Sequence, residues 1–403
     1  MVAVKGRKNS NKNPPIFSHE FIIQNHGDIV SCVAMIFVTG LMVQATSPWA
    51  YTFIAIHHNI TSDIEDPTMP MKYTTGWKDA CAVFFSLLIT IVMHAVFQDY
   101  IFDKVSKRLH LSKVKLAKFN ESSQLVLFYI LSVIWGIDII IRENLLLNIT
   151  LLWKEYPVPM SFSLKLFFIC QLAYWLHCYP ELYFQRVKKE DIPPRVVQAT
   201  IGFFSTVAAY IFNFQQVGIL LLVSHYIGDA MLHGARLVHF VGKKEKVTKS
   251  RYNFIRYTVL YKITFFVIFY NYFVIVAFLV ANSIYVFVRL ATLTIATLVF
   301  LYGLGQVESV FNFATGNFNI PVIRFTALTY IIIFQTYLSY VFISRQLKRA
   351  RENVVPIQAT VKSKQKPRKK EGKKSAMSED DDLPEVDQAT KKNLRSRSST
   401  KAK

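Results

Sequence analysis

The chain has little charge for its length, and this scarcity argues against a set of ordinary soluble domains. Only 18% of its 403 residues are Asp, Glu, Lys or Arg, whereas 52% are hydrophobic and 33 are Phe. Helices of soluble proteins carry a polar face at a spacing of 3.6 residues. Segments such as 263–270 are apolar on nearly all sides instead. The composition therefore indicates helices that are surrounded by lipid.

Signals for several other protein classes are missing. The apolar runs are continuous and do not alternate with a period of two, which argues against a transmembrane barrel. The four cysteines form no framework, since Cys170 and Cys178 would lie about 12 Å apart on one helix, beyond disulfide reach. The sequence has no phosphate-binding glycine loop, nucleophile elbow or His-Glu-x-x-His motif. A cleavable signal peptide is also not apparent in 1–28, so we expect the first apolar run to be an uncleaved signal anchor.

What the chain does contain is a series of long apolar runs. A helix that spans a bilayer needs about 20 mainly apolar residues. We predict an all-α polytopic membrane protein with about eight transmembrane helices. The predicted spans are 29–49, 80–100, 124–142, 162–184, 197–212, 217–238, one long run within 263–305, and 320–343.

The formal net charge of +21 serves first as a topology signal. Lys and Arg concentrate in alternate loops, whereas the intervening loops contain few of them. By the positive-inside rule, both termini and the basic loops are predicted to be cytosolic, which an even number of spans satisfies. The basic loops follow the second, fourth and sixth spans, at 104–118, 186–195 and 243–251.

Three Asn-x-Ser/Thr sequons bear on the same topology. Asn59 and Asn148 fall in predicted lumenal loops, where glycosylation is allowed. Asn148 lies close to the end of the third span, which can keep it from the modifying enzyme. Asn120 falls on the predicted cytosolic side and is expected to stay unmodified.

The C-terminal segment 346–403 is polar and lacks apolar periodicity, so we predict a disordered basic cytosolic tail. Its basic blocks suit contact with ribosomal RNA or with anionic lipid, because both present phosphate charge. A solvated tail that only reinforces the topology is equally compatible with this composition.

Ionisable groups inside a membrane are costly and mark candidate functional positions. His225 and Asp229 share one helix face, either as a catalytic or metal-binding pair or as an interhelical hydrogen-bond contact. We favour the second, and expect no metal site, because a lone His-x3-Asp lacks further ligands. Arg289 could contact a partner helix, a lipid headgroup or a water-filled cavity. Asp138 is expected to form a local ion pair with Arg142, four residues further along the same helix. The intramembrane polar residues that we single out are Asp138, His177, Glu181, His225, Asp229 and Arg289.

Several short blocks, in order between residues 14 and 345, carry a family resemblance. They include Ser18-His-Glu-Phe21, Gln171-Leu-Ala-Tyr-Trp-Leu-His177, Pro180-Glu-Leu-Tyr-Phe-Gln185, Lys188-Lys-Glu-Asp-Ile-Pro193 and Thr315-Gly-Asn-Phe-Asn319. Together they resemble the translocating chain-associated membrane protein family. The resemblance implies a protein of the endoplasmic reticulum beside the Sec61 channel. It also implies, as partners, membrane lipids and the signal sequences and transmembrane segments of nascent chains.

The fold implied by the resemblance is the helical TLC domain, which the family shares with ceramide synthases. Matched to those enzymes, the catalytic histidine pair falls on Gln198 and Ala199, and the first aspartate falls on Tyr226. Only Asp229 is retained. Gln and Ala cannot accept the proton that acyl transfer releases. We therefore expect a non-enzymatic protein with no catalytic residues and no cofactor; a lipid-handling enzyme or acyltransferase of the ceramide synthase type is the alternative.

These observations predict a division of the chain and a candidate site. Residues 248–281, which lie inside the TLC-like domain given below, resemble nothing in the family, and we interpret them as an insertion or an unspliced intron. We expect this stretch to be membrane-associated, re-entrant or misplaced. We expect His177, His225, Asp229 and Arg289 to line a polar intramembrane groove. The predicted regions are a cytosolic arm at 1–28, two spans and a basic loop at 29–116, a TLC-like domain at 117–345 and the tail at 346–403.

Overall fold

The structure is a computed structural model that describes most of the apolar part of the chain. It covers residue 15 and residues 18–60, 70–109, 111, 113–249 and 257–362, with side chains except at 113–114, 241–249, 257–271, 350 and 352–362. The chain divides into two units, Met1–Phe342 and Ile343–Lys403. Of the second unit, only the end of one helix is described. The predicted tail beyond residue 362 lies outside the described residues.

The described residues are mostly helical. The α-helices are α1 His19–Gly40, α2 Ser47–Ile54, α3 Asp79–Phe97, α4 Asp103–Leu109, α5 Lys113–Arg142, α6 Phe162–Phe184, α7 Ile192–Ile211, α8 Gln215–Lys249, α9 Tyr257–Thr297, α10 Leu304–Gln306 and α11 Pro321–Lys362. Two π-helical segments, Gln98–Phe102 and Leu298–Gly303, join α3 to α4 and α9 to α10, and a 3₁₀ turn lies at Ile149–Leu152.

Four two-residue strands form two small antiparallel pairs outside the helices. Strand β1, Lys72–Tyr73, pairs with β2, Met160–Ser161. Strand β3, Phe311–Asn312, pairs with β4, Asn317–Phe318, in a hairpin that turns at Gly316. Gly316 has a φ of +69°, in the left-handed region that glycine adopts without strain.

The predicted class of polytopic helical membrane protein is confirmed. Six described helical segments are long and apolar enough to cross a membrane. Helices α6 and α7 are 23 and 20 residues long, roughly 34 and 30 Å, so each has the length of a span, but neither is among these six segments. The total of eight spans remains a prediction. The six segments are His19–Gly40, Asp79–Leu109, Lys115–Arg142, Gln215–Phe240, Tyr272–Gln306 and Pro321–Arg349.

The first helix differs from its predicted span at 29–49. It starts ten residues earlier, because the Ser18 hydroxyl accepts a hydrogen bond of 3.1 Å from the Phe21 backbone N–H and caps the helix. It ends at Gly40, where the chain turns before α2. The Thr46 hydroxyl donates to the Gly40 carbonyl at 2.8 Å across this turn. The structure therefore replaces one predicted span by a span and a short helix.

Most of the long apolar run within 263–305 belongs to α9, which is one continuous helix. At 41 residues, α9 is roughly 62 Å long, about twice the thickness of a bilayer core. The described parts of the suspected insertion 248–281 therefore lie at the end of α8 and in the first portion of α9. The prediction of a re-entrant path is therefore wrong for residues 257–281, which are continuous with the rest of α9.

Helix α6 lies at the centre of the bundle. It packs against α3 and α7, while α8 packs against α5 and α9. Phe167, Phe168 and Ile169 on α6 are completely buried. On outer helices the pattern is reversed, and Phe287 on α9 and Ile36 on α1 are 70% and 67% exposed. Large apolar side chains at such exposure fit a surface that faces lipid.

A buried ion pair fastens one end of the bundle. Lys165 Nζ lies 2.8 Å from Asp79 Oδ1, and Lys165 is completely buried. The same ammonium donates to the backbone carbonyls of His57 and Thr74 at 2.8 and 2.7 Å. Tyr210 donates to the other Asp79 oxygen at 2.8 Å. These bonds connect α3, α6, α7 and the loop before α3, and no sequence pattern predicted them.

Tyr156 joins three loops at the same end of these helices. Its hydroxyl donates to the Phe212 carbonyl at 2.6 Å and accepts from the Phe318 backbone N–H at 3.3 Å. Burial raises the pKa of Tyr156 to about 12, so the phenol keeps its proton and its donor role at neutral pH. Asn213 donates to the Gly316 carbonyl at 2.7 Å and holds the β3–β4 turn beside α7 and α8.

Candidate functional site

A buried polar cluster connects α8, α9 and α11. Arg289 Nη2 donates to Asp229 Oδ1 at 3.2 Å, and Arg289 Nη1 donates to Gln335 Oε1 at 3.1 Å. Nη1 also lies 2.8 Å from His225 Nδ1. We call His225, Asp229, Arg289 and Gln335 the Arg289 cluster. Its guanidinium lies 4.4 Å from the centre of the Tyr285 ring, a cation–π contact.

The hydrogen bonds fix the state of His225. A guanidinium can only donate, so His225 Nδ1 must be the acceptor toward Arg289. The proton of a neutral imidazole then lies on Nε2, which is 3.3 Å from Asp229 Oδ2. His225 is therefore a neutral bridge between Arg289 and Asp229. The charges of Arg289 and Asp229 cancel, and the cluster is polar without a net charge.

The Arg289 cluster retains unused hydrogen-bonding capacity. Arg289 is only 3% exposed, and its Nε is buried with no hydrogen-bond partner among the described residues. The side chains of His225 and Asp229 are each 17% exposed, so the cluster is reachable from one side. Such a site can offer donors and an acceptor to polar groups of a passing segment. That chemistry is suited to binding.

Two members of this neighbourhood had no signal in the sequence. Gln335 is a single amide on α11, and Tyr285 is one of many aromatic residues on an apolar helix. Gly228 also shapes the site, since an added Cβ would lie 3.2 Å from Arg289 Nη2 and 3.4 Å from the Tyr285 ring. The absence of a side chain at this position lets α9 approach α8 with the arginine between them.

The positions that match ceramide synthase catalytic residues lie in an aromatic core beside the cluster. Tyr226 is completely buried, donates to Gln171 Oε1 at 2.9 Å and accepts from Trp175 Nε1 at 3.3 Å. The Gln198 amide donates to the Tyr129 hydroxyl at 3.2 Å. Ala199 is buried in the same core. Tyrosine, tryptophan and amide groups therefore occupy the region where that chemistry would need a base.

His177 has other partners than the remaining predicted groove residues. Its Nε2 lies 2.9 Å from His94 Nδ1, and the other nitrogen of His94 lies 3.0 Å from Glu181 Oε1. We call His94, His177 and Glu181 the His94 cluster. It joins α3 to α6, whereas the Arg289 cluster joins α8, α9 and α11. The predicted set of four residues is thus distributed over two polar clusters.

An open cavity of about 700 Å³ lies at a third place, between α1 and the chain that leaves α6. Two contacts fasten its walls: His19 Nδ1 lies 2.7 Å from the Tyr183 hydroxyl, and Arg186 lies 3.5 Å from Glu20. Neither cluster forms part of its lining, which consists of His19, Glu20, Ile23, Tyr179, Leu182, Tyr183, Arg186, Val187, Lys189 and Ile192.

The ion pair of α5 and two of the three sequons lie at the surface or in loops. Asp138 and Arg142 form the expected ion pair on α5, at 2.9 Å, with both side chains largely exposed. Asn148 is exposed just before the 3₁₀ turn, and Asn59 is half-buried in a bridge to Tyr73. All four cysteines are free.

Comparison with known proteins agrees with the architecture and with the sequence blocks. The sequence model of the TLC domain matches residues 118–344. Translocating chain-associated membrane protein 2 from Homo sapiens is 37% identical over 343 residues, which is 85% of this chain and 85% of that protein. The Mus musculus protein of the same name is 38% identical over 343 residues, which again is 85% of this chain and 85% of that protein.

A more distant similarity covers a shorter stretch. Ceramide synthase 4 from Mus musculus is 27% identical over 124 residues, which is 30% of this chain and 31% of that protein. The long matches, the domain and the multi-pass helical structure agree on one assignment. The chain belongs to the translocating chain-associated membrane protein family and carries its TLC domain.

Proposed function

We propose that this protein is a non-enzymatic auxiliary of the Sec61 translocon in the endoplasmic reticulum membrane. It assists the insertion or translocation of nascent secretory and membrane proteins. Both termini are cytosolic in this proposal, and the basic tail lies on the side where the ribosome docks. The family relationship over 85% of the chain supports the general role, and the named relatives carry that role in their names.

The observation that carries the mechanism is the Arg289 cluster. A signal sequence that enters lipid carries polar backbone and side-chain groups, and each unsatisfied group in hydrocarbon costs several kcal/mol. Among the described residues Arg289 Nε has no hydrogen-bond partner, and Asp229 and His225 remain partly accessible. A weakly hydrophobic segment that passes along α8, α9 and α11 could exchange hydrogen bonds with these groups.

The non-enzymatic part of the proposal rests on the aromatic core. Acyl transfer to an amine needs a base within hydrogen-bond reach. At the positions where ceramide synthases carry the histidine pair, this chain has Gln198 and Ala199. Tyr226 stands at the first aspartate position, and the retained Asp229 is paired with Arg289. These residues favour binding over transfer.

The proposal is tested by photocrosslinking in microsomes rebuilt with the wild-type protein or a variant. Stalled ribosome-bound chains would carry either a weakly or a strongly hydrophobic signal sequence. In the variant, Asp229→Leu and Arg289→Leu are combined, which removes both charges and leaves no unpaired ion. We expect crosslinks to the weakly hydrophobic signal to fall several-fold, while those to the strong signal change little.

The chain offers a matched control for this variant. Asp138→Leu with Arg142→Leu removes an ion pair of the same residue types, but that pair is exposed at the end of α5. The control should crosslink like the wild-type protein. Equal crosslinking by the two double variants, with both signals, would remove the Arg289 cluster from the mechanism.

A second candidate function is a lipid-handling enzyme or acyltransferase of the ceramide synthase type. The similarity to ceramide synthase 4 and the retained Asp229 favour it. The purified protein, incubated with a long-chain acyl-CoA and a sphingoid base, would distinguish the two. Product formation that Asp229→Ala abolishes would reverse our choice. A lack of product, together with signal-dependent crosslinking, supports the auxiliary role.

A further inference from the structure

The His94 cluster brings three metal-ligating side chains together from two helices. His94 comes from α3, whereas His177 and Glu181 lie four residues apart on one face of α6. One nitrogen of each imidazole and a carboxylate oxygen lie within 4.8 Å of one another. His177 and Glu181 are 2% and 8% exposed. Two histidines and one glutamate are a known ligand set for zinc, with one coordination position left open.

The hydrogen bonds leave the lone pair of His177 directed into the cluster. His177 Nδ1 lies 2.6 Å from the Tyr174 carbonyl, which can only accept, so Nδ1 carries the proton. The Nε2 atom is therefore the basic nitrogen. A backbone carbonyl that binds the other N–H of a histidine is the arrangement that orients histidine ligands in metal sites.

Protein groups alone leave the cluster incompletely satisfied. A doubly protonated His94 would donate to His177 and to Glu181 Oε1, but Glu181 Oε2 is buried with no hydrogen-bond partner in the described part of the chain. The Gln185 amide nitrogen, itself a donor, also lies 3.3 Å from His94 Nε2. A buried carboxylate oxygen without a donor is costly, and a cation would satisfy it.

We propose that His94, His177 and Glu181 bind a divalent transition-metal cation, with Zn²⁺ as the ion to test. The metal would join α3 to α6 near the ends of these helices that lead to the basic loops. Small movements of the side chains suffice, because tetrahedral zinc ligands are about 3.3 Å apart at the usual bond lengths. The site is separate from the Arg289 cluster, which holds its own compensating cation.

Metal binding is tested on the full chain in detergent, purified with a tag that contains no histidine. After chelator treatment, the protein is titrated with Zn²⁺, and bound metal is measured by mass spectrometry. Titration with Co²⁺ adds an absorption spectrum that reports on the coordination geometry. The wild-type protein should bind about one zinc per chain, with the visible bands of tetrahedral Co²⁺. Glu181→Gln and His177→Asn should each weaken binding on the order of 100-fold, since even outer-shell changes cost 10–100-fold.

His225→Asn is the matched control, because His225 is also largely buried beside a carboxylate on its own helix, that of Asp229 on α8. It should bind zinc like the wild-type protein. Size-exclusion elution of every variant checks that the fold is intact. Failure of the wild-type protein to retain zinc would overturn the proposal whatever the variants do. Zinc retention that Glu181→Gln leaves unchanged would overturn it equally.

Discussion

Arg289 on α9 and Asp229 on α8 form an ion pair inside the helical bundle, with 3.2 Å between Nη2 and Oδ1. The Arg289 side chain is almost completely buried and that of Asp229 is largely buried, so neither charge would be tolerated alone in apolar surroundings. The pair therefore links two helices and supplies a polar surface. The attraction between the two charges offsets the free-energy cost of burying each of them. Mutation can separate the structural role of this pair from its proposed functional role.

Replacing one member of the pair should harm stability more than replacing both. Arg289→Leu leaves the Asp229 carboxylate buried without its cation, and we expect a loss of about 3–5 kcal/mol. The double variant Asp229→Leu with Arg289→Leu leaves no unpaired charge and should lose less. Thermal unfolding of the purified proteins in detergent measures both. Additive losses, with the double variant the least stable, would contradict the pairing.

The sequence predicts the spans well but the contacts between them poorly. The apolar run 162–184 matches α6 residue for residue, because Ser161 caps its start and the polar, basic segment from Gln185 follows its end. The start of α1 was missed because the cap at Ser18 precedes the apolar run by eleven residues. Arg289 stood out as a charge in an apolar helix. Its partner Gln335 did not, since a single amide has no periodicity and the pairing of helices is a tertiary property.

The same reasoning explains why the His94 cluster was not anticipated. His94 lies 83 residues from His177, and no local spacing connects them. Glu181 was noted only as an isolated ionisable residue. The Asp79–Lys165 pair was missed for a related reason, because both residues lie close to span ends, where charged side chains are ordinarily solvated.

The buried pair of Asp79 and Lys165 should contribute far more stability than an exposed pair. Asp79→Asn removes the counter-charge of a completely buried ammonium, and we expect a loss of about 3–5 kcal/mol. The matched variant is Asp138→Asn, which breaks the exposed pair with Arg142 and should cost about 0–1 kcal/mol. Unfolding midpoints of the two variants, measured side by side, give the comparison. Similar midpoints would show that the Lys165 charge is stabilised by other groups.

Two glycines should respond in opposite ways to alanine. At Gly202 an added methyl would overlap the buried Trp175 ring, so Gly202→Ala should cost about 1–3 kcal/mol. At Gly234, on α8, no atom of a described residue outside the adjoining helix backbone lies within 4 Å of the added methyl. Gly234→Ala should stabilise the helix by up to about 1 kcal/mol. Thermal unfolding distinguishes them, and a neutral Gly202→Ala would contradict the close approach of α6 and α7.

Glycosylation tests the predicted topology. Asn59 lies in a predicted lumenal loop, whereas Asn120 lies on α5 at the predicted cytosolic side. Treatment of the membrane-integrated protein with a peptide-N-glycosidase should shift its electrophoretic mobility. Asn59→Gln should abolish or reduce that shift, and Asn120→Gln should leave it unchanged. A glycan on Asn120 would invert the assignment of the two membrane sides.

The most direct test of the central claim is a pair of photoreactive probes. One replaces Tyr330 on α11, which is 41% exposed and stacks on Phe334, the ring beside His225. The other replaces Ile134 on α5. This residue is 63% exposed and lies about 200° around the helix from Gly136, the position that faces Val223 of α8.

Each protein would be reconstituted with Sec61 channels, ribosomes and a stalled, weakly hydrophobic signal sequence. We predict several-fold more crosslinking to the nascent chain from position 330 than from position 134. Equal crosslinking from the two positions would contradict the claim that nascent segments pass beside the Arg289 cluster.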